Sequence, residues 1–268
     1  MNLLIDWGNT HLKYMLIGSL EKGPQVIIDS YADVGHCDSP HELMSVLPES
    51  LDQVLVCSVR ADKDNLLLKS LLQPKVRALF FAKTEKQTNS VNCGYSNPQQ
   101  MGADRWLAVL GGHERILAQH SQGADPVKTL AILDIGSAIT LDLVQVGQHL
   151  GGQILPGKNL MLESLKLTGK VRPSSEEIES NQVFLGTSTY QCVQYGVDCA
   201  IEGYLNLLIE RVNSSYPRSY WLLLGGGAKY WIEQPLFSSF SARGDMEYLP
   251  SLVFEGLILA FLDSKSLG

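Results

Sequence analysis

One short pattern occurs twice in this chain, as Asp6-Trp7-Gly8-Asn9-Thr10 and again as Asp134-Ile135-Gly136-Ser137-Ala138. Each copy follows an apolar run, Leu3-Leu4-Ile5 or Ala131-Ile132-Leu133, and precedes a stretch in which polar and apolar residues partly alternate. That is the pattern of strand, tight turn, strand. A carboxylate closes a buried strand, a glycine free to take positive φ follows it, and then come hydroxyl or amide side chains. Such a turn can aim backbone N–H groups at phosphate while the Asp holds a cation. Either copy alone reads first as an ordinary hairpin with a turn Asp. The repetition says more, because an internal repeat describes architecture. It implies two related α/β halves with a cleft between them, their turns gripping one nucleoside triphosphate from opposite sides.

The 268 residues, 45% hydrophobic and 18% charged, suffice for one large or two moderate cores. Net charge is −7 and no cluster of Lys and Arg stands out, which argues against a nucleic-acid partner held by a basic surface. No basic stretch precedes the first apolar run, Asp6 interrupts that run, and no later segment reaches the roughly 18 apolar residues of a membrane span. The expectation is a cytoplasmic protein with no membrane partner. Cys37, Cys57, Cys93, Cys192 and Cys199 are odd in number and form no Cys-x-x-Cys pair, as befits reduced, buried thiols. The histidines show no metal-ligand spacing and are assigned no chemistry.

Along the first half, strands are expected at 2–6, 12–17, 25–31, 54–59 and 76–81, with helices near 40–47 and 62–72, giving a mixed sheet flanked by helices. The polar segment from Thr84 to Met101 contains Asn97-Pro98 and cannot be one helix. From Gly102 to about Gln119 the apolar spacing at Trp106, Val109, Leu110 and Leu117 fits a helix. Gly123-Ala124-Asp125-Pro126 breaks the chain, so the domain boundary is placed there: residues 1–122 and 123–268. The second half restarts with the strand pair at 129–146. It adds helices near 159–167, 187–212 and 251–264, the last packing back toward the first domain, and a strand at 220–224. Ser174-Ser175-Glu176-Glu177 reads as a solvated loop entering a capped turn.

Two glycine-rich segments invite nucleotide readings. Gly152 to Asn159 nearly matches a P-loop, but Asn159 stands where a Ser or Thr binds magnesium, and Pro156 precedes the second glycine. It is read as a chance match. Gly225-Gly226-Gly227 follows the strand Leu222-Leu223-Leu224 but lacks the third glycine of a dinucleotide fingerprint, Tyr230 standing in its place. Beside the two Asp-x-Gly turns it can instead offer a flat backbone surface for an adenine ring; a plain helix-start turn is the competing reading.

The candidate for chemistry is Gly102-Ala103-Asp104-Arg105-Trp106, which opens a helix directly after the loop containing Tyr95 and Asn97. An Asp at a helix start is ordinarily a cap, and Arg105 beside it an exposed ion-pair partner. The sharper reading makes Asp104 the acceptor of an alcohol proton. Arg105 then fixes an anionic substrate group, and the Tyr95 loop closes over the substrate. Phosphoryl transfer needs little more than positioning, charge neutralisation and one base.

These residues resemble the type III pantothenate kinases, within the superfamily of acetate and sugar kinases, heat-shock chaperones and actin. The family's Asp-x-Gly-Asn-Thr followed by Lys is matched by Asp6, Gly8, Asn9, Thr10 and Lys13. Its Tyr-x-Asn-Pro loop and Gly-x-Asp-Arg-Trp are matched by Tyr95, Asn97, Pro98, Gly102, Asp104, Arg105 and Trp106. The second turn is matched by Asp134, Gly136, Ala138, Thr140 and Asp142, with Ser137 replacing a usual Thr. Gly151, Gly152, Ile154, Pro156 and Gly157 match a further segment, which accounts for the false P-loop. Thr189 before Gly196-Val197, the turn Gly225-Gly226-Gly227-Ala228 and Glu255-Gly256-Leu257 complete the likeness, with Leu224 where a Thr often stands.

The resemblance implies two duplicated actin-like (ribonuclease H-like) α/β domains and ATP-dependent phosphorylation of pantothenate to 4'-phosphopantothenate, the first step of coenzyme A synthesis. It implies that Asp6, Trp7, Gly8, Asn9, Thr10, His11, Leu12, Lys13 and Ser137 line ATP. Asp134 would ligate a monovalent cation, potassium or ammonium, with Mg2+ accompanying ATP. Asp104 would be the general base, and Tyr95, Gly102, Ala103, Arg105 and Thr189 would contact pantothenate in a homodimer. A non-catalytic accessory factor in transcription is the alternative, and a sugar or acetate kinase is opposed by the Tyr95–Trp106 block.

Overall fold

The computed structural model describes residues 1–25, 27, 34–120, 129–166, 185–237 and 245–266. The chain begins with a hairpin, β1 (Asn2–Trp7) and β2 (Leu12–Ile17), followed by β3 (Gly35–Cys37), helix α1 (Pro40–Val46), β4 (Leu51–Ser58), α2 (Asp62–Leu72) and β5 (Val76–Phe81). Two-residue strands β6 (Gln87–Thr88) and β7 (Val91–Asn92) precede α3 (Ala103–His120). Then come β8 (Thr129–Ile135), β9 (Ala138–Gln145), β10 (Gln148–Pro156), α4 (Lys158–Lys166), α5 (Thr189–Ser215), β11 (Ser219–Leu224), the short α6 (Ala228–Ile232), β12 (Met246–Tyr248) and α7 (Leu252–Ser266).

The strands form two sheets, ordered β3-β2-β1-β4-β5 and β12-β11-β8-β9-β10-β7-β6. The repeat seen in the sequence is visible here. In each sheet an antiparallel hairpin, β1–β2 or β8–β9, is flanked on its first strand by a parallel strand, β4 or β11. The second sheet differs by gaining β7 and β6 from the first half of the chain, β7 pairing with β10.

Alternation along the strands distributes side chains to both faces of each sheet. Leu3, Ile5, Val54 and Val56 pack with Leu43 and Leu68 of α1 and α2. The opposite residues Leu4, Met15 and Leu55 join Trp106 and Leu110 of α3, Leu257 and Phe261 of α7, and Ile132 and Leu222 of the second sheet in one core. Leu133, Leu141 and Leu223 face Ile201 and Leu205 of α5. The layers are therefore helix, sheet, helix, sheet, helix, with α3 and α7 in the middle.

The middle helices meet through glycines. A Cβ at Gly256 would overlap the Leu107 carbonyl, and one at Gly111 would lie 2.6 Å from the Leu252 carbonyl, so both positions need the bare backbone. Glu255, 1% exposed, is held bidentately by Arg115 at 2.7 and 2.9 Å and by the Ser251 hydroxyl at 2.6 Å. A buried carboxylate with this many donors fixes the register of α7 on α3, and α3 carries Asp104.

Most expected elements appear, some with extended bounds. The strand expected at 25–31 is not seen where the chain is described, Gln25 and Ile27 being helical, and the rest of it lies outside the described residues, as do the 123–126 break and the 174–177 loop. The segment matching a P-loop is not a phosphate-wrapping loop: Gly152 to Pro156 lies inside β10 and Asn159 in α4.

Candidate active site

The first Asp-x-Gly turn joins β1 to β2, closed by the Gly8 N–H donating to the His11 carbonyl at 3.1 Å. Asp6 and Lys13 are register partners across the hairpin, and the Lys13 ammonium lies 3.9 Å from the Asp6 carboxylate. The second turn joins β8 to β9, the Gly136 N–H donating to the Ala138 carbonyl at 2.9 Å, with Asp134 opposite Thr140. The two turns meet: the Thr10 and Ser137 hydroxyl oxygens are 2.6 Å apart.

Two glycine segments back the second turn. The Gly157 N–H donates to the Ser137 carbonyl at 3.0 Å, and the Gly227 N–H to the Ile135 carbonyl at 2.8 Å. Gly225 has φ of +89°, and a Cβ there would collide with the Asp134 carboxylate, so only glycine serves. Gly226 faces open space. The Gly225–Gly227 turn thus lies directly beside the second Asp-x-Gly turn.

Asp104 sits in the first turn of α3, its Oδ1 accepting from the Arg105 N–H at 2.7 Å. A Cβ on Gly102 would lie 2.6 Å from that oxygen. Asp6, Asp104 and Asp134 feel one another. Burial pushes Asp6 up to about 6, the Asp104 charge adding to it and Lys13 opposing. Burial and then Asp104 push Asp134 up to about 7, against the pull of Lys13. Asp104 is also raised by burial, with the Arg105 N–H and guanidinium pulling it down. Three carboxyls thus lie near the Lys13 ammonium and, at Asp104, the Arg105 guanidinium, and their mutual repulsion favours proton uptake or a bound cation.

Arg105 is not the exposed ion-pair partner that its sequence position suggests; it is 7% exposed. Its Nε and Nη2 donate to the two carboxylate oxygens of Asp142 at 2.8 and 2.6 Å, and its Nη1 donates to the Tyr95 hydroxyl at 2.9 Å. Burial pulls the guanidinium pKa down, but the Asp142 carboxylate outweighs this and holds it above the ordinary value. His149, which sequence reasoning left without a role, completes the group: its Nε2 is 2.9 Å from Asp142 Oδ1. The pairing of β9 with β10 brings Asp142 and His149 together, and no local motif announces it.

The other residues named from sequence divide. Asn9, Thr10, His11 and Ser137 are exposed on the turns, while Trp7 and Leu12 are buried in the core behind β1. The side chains of Trp7 and Leu12 point into the protein, so it is their backbone that faces the turn's surroundings. Arg60, absent from the sequence reading, lies against the first turn: its Nη1 donates to the Asn9 carbonyl at 3.0 Å and its guanidinium sits 5.5 Å from the Trp7 ring centre. Ala103 opens α3 beside Asp104. Thr189 opens α5 and is exposed, and no hydrogen bond among the described residues joins it to Asp104 or Tyr95.

Comparison with known proteins adds what geometry alone cannot. Residues 2–211 match the family model for type III pantothenate kinase. A type III pantothenate kinase of Marinobacter nauticus is 33% identical over 237 residues, covering 85% of this chain and 88% of that protein. One from Acinetobacter baylyi is 29% identical over 264 residues, covering 95% of each. Among solved structures, a Campylobacter jejuni protein described as a Baf family transcriptional activator superposes with a TM-score of 0.54 at 16% identity, covering 98% of this chain and 99% of that one. That likeness is one of fold. The family match spans both Asp-x-Gly turns, the Tyr95 loop and the start of α3, and the chain belongs to the type III pantothenate kinase family.

Proposed function

We propose that this chain phosphorylates pantothenate at its 4'-hydroxyl with ATP, Asp104 acting as general base. The observation that carries the reading is the meeting of the two phosphate-type turns at Thr10 and Ser137, near a half-buried carboxyl at a helix start. The turns present N–H and hydroxyl groups to a triphosphate, with Lys13 as the nearby cation. Asp104, raised by burial, is a better proton acceptor than a solvated carboxylate once it is ionised. Arg105 and Tyr95, locked together, form the wall from which the remaining guanidinium N–H groups meet the carboxylate of the substrate.

The carboxyl-rich floor fits cations. Asp6, Asp104 and Asp134 offer hard oxygen ligands, as Mg2+ and potassium or ammonium prefer. Among the described residues no three His, Cys, Asp or Glu side chains close on one point, so in this reading a divalent ion takes most of its ligands from the nucleotide phosphates and water. Asp134 is the monovalent-cation ligand in this reading, and a bound cation would neutralise charge developing on the phosphates. The turn at Gly225–Gly227 receives the adenine side.

The two-domain division at 122/123, a homodimer that brings Thr189 to pantothenate, and a cytoplasmic location with no nucleic-acid or membrane partner belong to the same proposal. No helix among the described residues is long and apolar enough to cross a membrane. The accessory-factor reading is not favoured, since the family model and the curated relatives that match this chain are pantothenate kinases. The test is pantothenate-dependent release of ADP by the purified protein with magnesium, with and without potassium. Turnover that requires pantothenate supports the assignment, and none under either condition overturns it.

A further inference from the structure

The loop carrying Tyr95 leaves β7 and runs along β10, where it is tied to His149. The Gly94 N–H donates to His149 Nδ1 at 3.3 Å, which places the ring proton on Nε2, donated to Asp142 Oδ1 at 2.9 Å. A Cβ on Gly94 would overlap the His149 carbonyl, so the loop lies directly on the β10 backbone there. The His149 ring stacks on the Tyr95 ring with centres 6.0 Å apart and planes 18° apart. Tyr95 in turn accepts from Arg105, whose guanidinium lies 5.7 Å from the Tyr95 ring centre. His149 itself is 0% exposed, and so makes its contacts from inside the protein.

We propose that His149 is the positioning residue of the pantothenate side: it holds the Tyr95 loop down through Gly94 and the Tyr95 ring, and holds Arg105 in place through Asp142. The imidazole suits the task because its two nitrogens face in different directions with opposite roles, one accepting from the loop and one donating to the sheet. It touches no reacting atom. The inference rests on reading the Asp104–Tyr95 face as the pantothenate side.

Two substitutions separate the two bonds. His149→Gln can place an amide donor near Nε2 toward Asp142 but offers nothing at Nδ1; His149→Asn can place an acceptor near Nδ1 for the Gly94 N–H. The proposal expects His149→Gln to raise the pantothenate KM about three- to tenfold, the range for one lost hydrogen bond. The ATP KM should move little in either variant, and His149→Asn, which loses the bond to Asp142 in place of the one to Gly94, should also raise the pantothenate KM. A residue that merely fills the core would lower thermal stability in both variants and shift neither KM selectively. A pantothenate KM unchanged in both variants, or parallel rises for both substrates, would overturn the proposal. Amide hydrogen exchange at Gly94 gives an arm that needs no turnover. Slow exchange in wild type and His149→Asn with faster exchange in His149→Gln supports the anchor, and the same rate in all three rejects it. If wild type exchanges slowly yet never consumes pantothenate, the anchor stands and the substrate assignment fails.

Discussion

Thr10 and Ser137 stand 127 residues apart in the chain, and their hydroxyl oxygens are 2.6 Å apart in the fold. Each belongs to one copy of the duplicated turn, so this contact is where the two halves of the repeat close on each other. A triphosphate entering between them would exchange that hydroxyl pair for bonds to phosphate oxygens.

Ser137→Ala should therefore raise the ATP KM about three- to tenfold, the cost of a hydrogen bond or two, and leave the pantothenate KM near wild type. Steady-state kinetics with each substrate varied in turn decide it. A selective rise for pantothenate would move Ser137 to the other side of the site.

Arg105→Lys keeps the charge but loses the planar fork that now grips both oxygens of Asp142. The pantothenate KM should rise, with a smaller change for ATP, and the melting temperature should fall because Asp142 is left partly unpaired in the interior. If ATP affinity fell instead, Arg105 would belong to the phosphate side.

The raised carboxyls predict a pH dependence of stability in the ligand-free protein. Asp134 titrates near 3.8 when solvated and near 7 in the fold, and Asp6 near 6. Between these values the folded chain binds more protons than the unfolded one, so stability falls as pH rises from about 4 to 7. Asp134→Asn removes one of these groups. It should flatten the decline and raise the melting temperature at pH 8, and thermal unfolding across that range tests it. Parallel curves for wild type and variant would show that Asp134 is not strained when ionised.

The same variant probes the cation. With Asp134 as an oxygen ligand, Asp134→Asn should weaken ATP use and blunt activation by potassium, while pantothenate binding without nucleotide stays largely intact. Parallel potassium activation curves at fixed ATP would reject the ligand role.

Both Asp-x-Gly turns were legible because each ends an apolar run with a pattern that local backbone chemistry can use, and the long helices because their apolar spacing persists over several turns. β10 was not: Gly151 and Gly152 interrupt its alternation, its pairing shifts register between His149 and Gly151, and Gly151 takes φ of +122°. Strands of two residues, as in β6 and β7, have too few side chains to show a period. The Arg105–Asp142–His149 group escaped for another reason. It is assembled by strands β9 and β10 meeting the start of α3, so Asp142 showed only as part of a motif and His149 as a histidine without neighbours. Trp7 and Leu12 belong to the nucleotide motif by position, while alternation along β1 and β2 turns both side chains into the core.

The central claim is that Asp104 accepts the proton of the pantothenate hydroxyl where the two turns converge. The most direct measurement is the rate at which 4'-phosphopantothenate accumulates, followed by mass, for wild type and Asp104→Asn at saturating ATP and pantothenate. Asparagine retains an oxygen for the Arg105 N–H that Asp104 now accepts at 2.7 Å, so the fold should survive. The account predicts product from wild type and a rate about 10² to 10⁴ lower in the variant, with both substrates still bound; a folded Asp104→Asn protein turning over near the wild-type rate would contradict it.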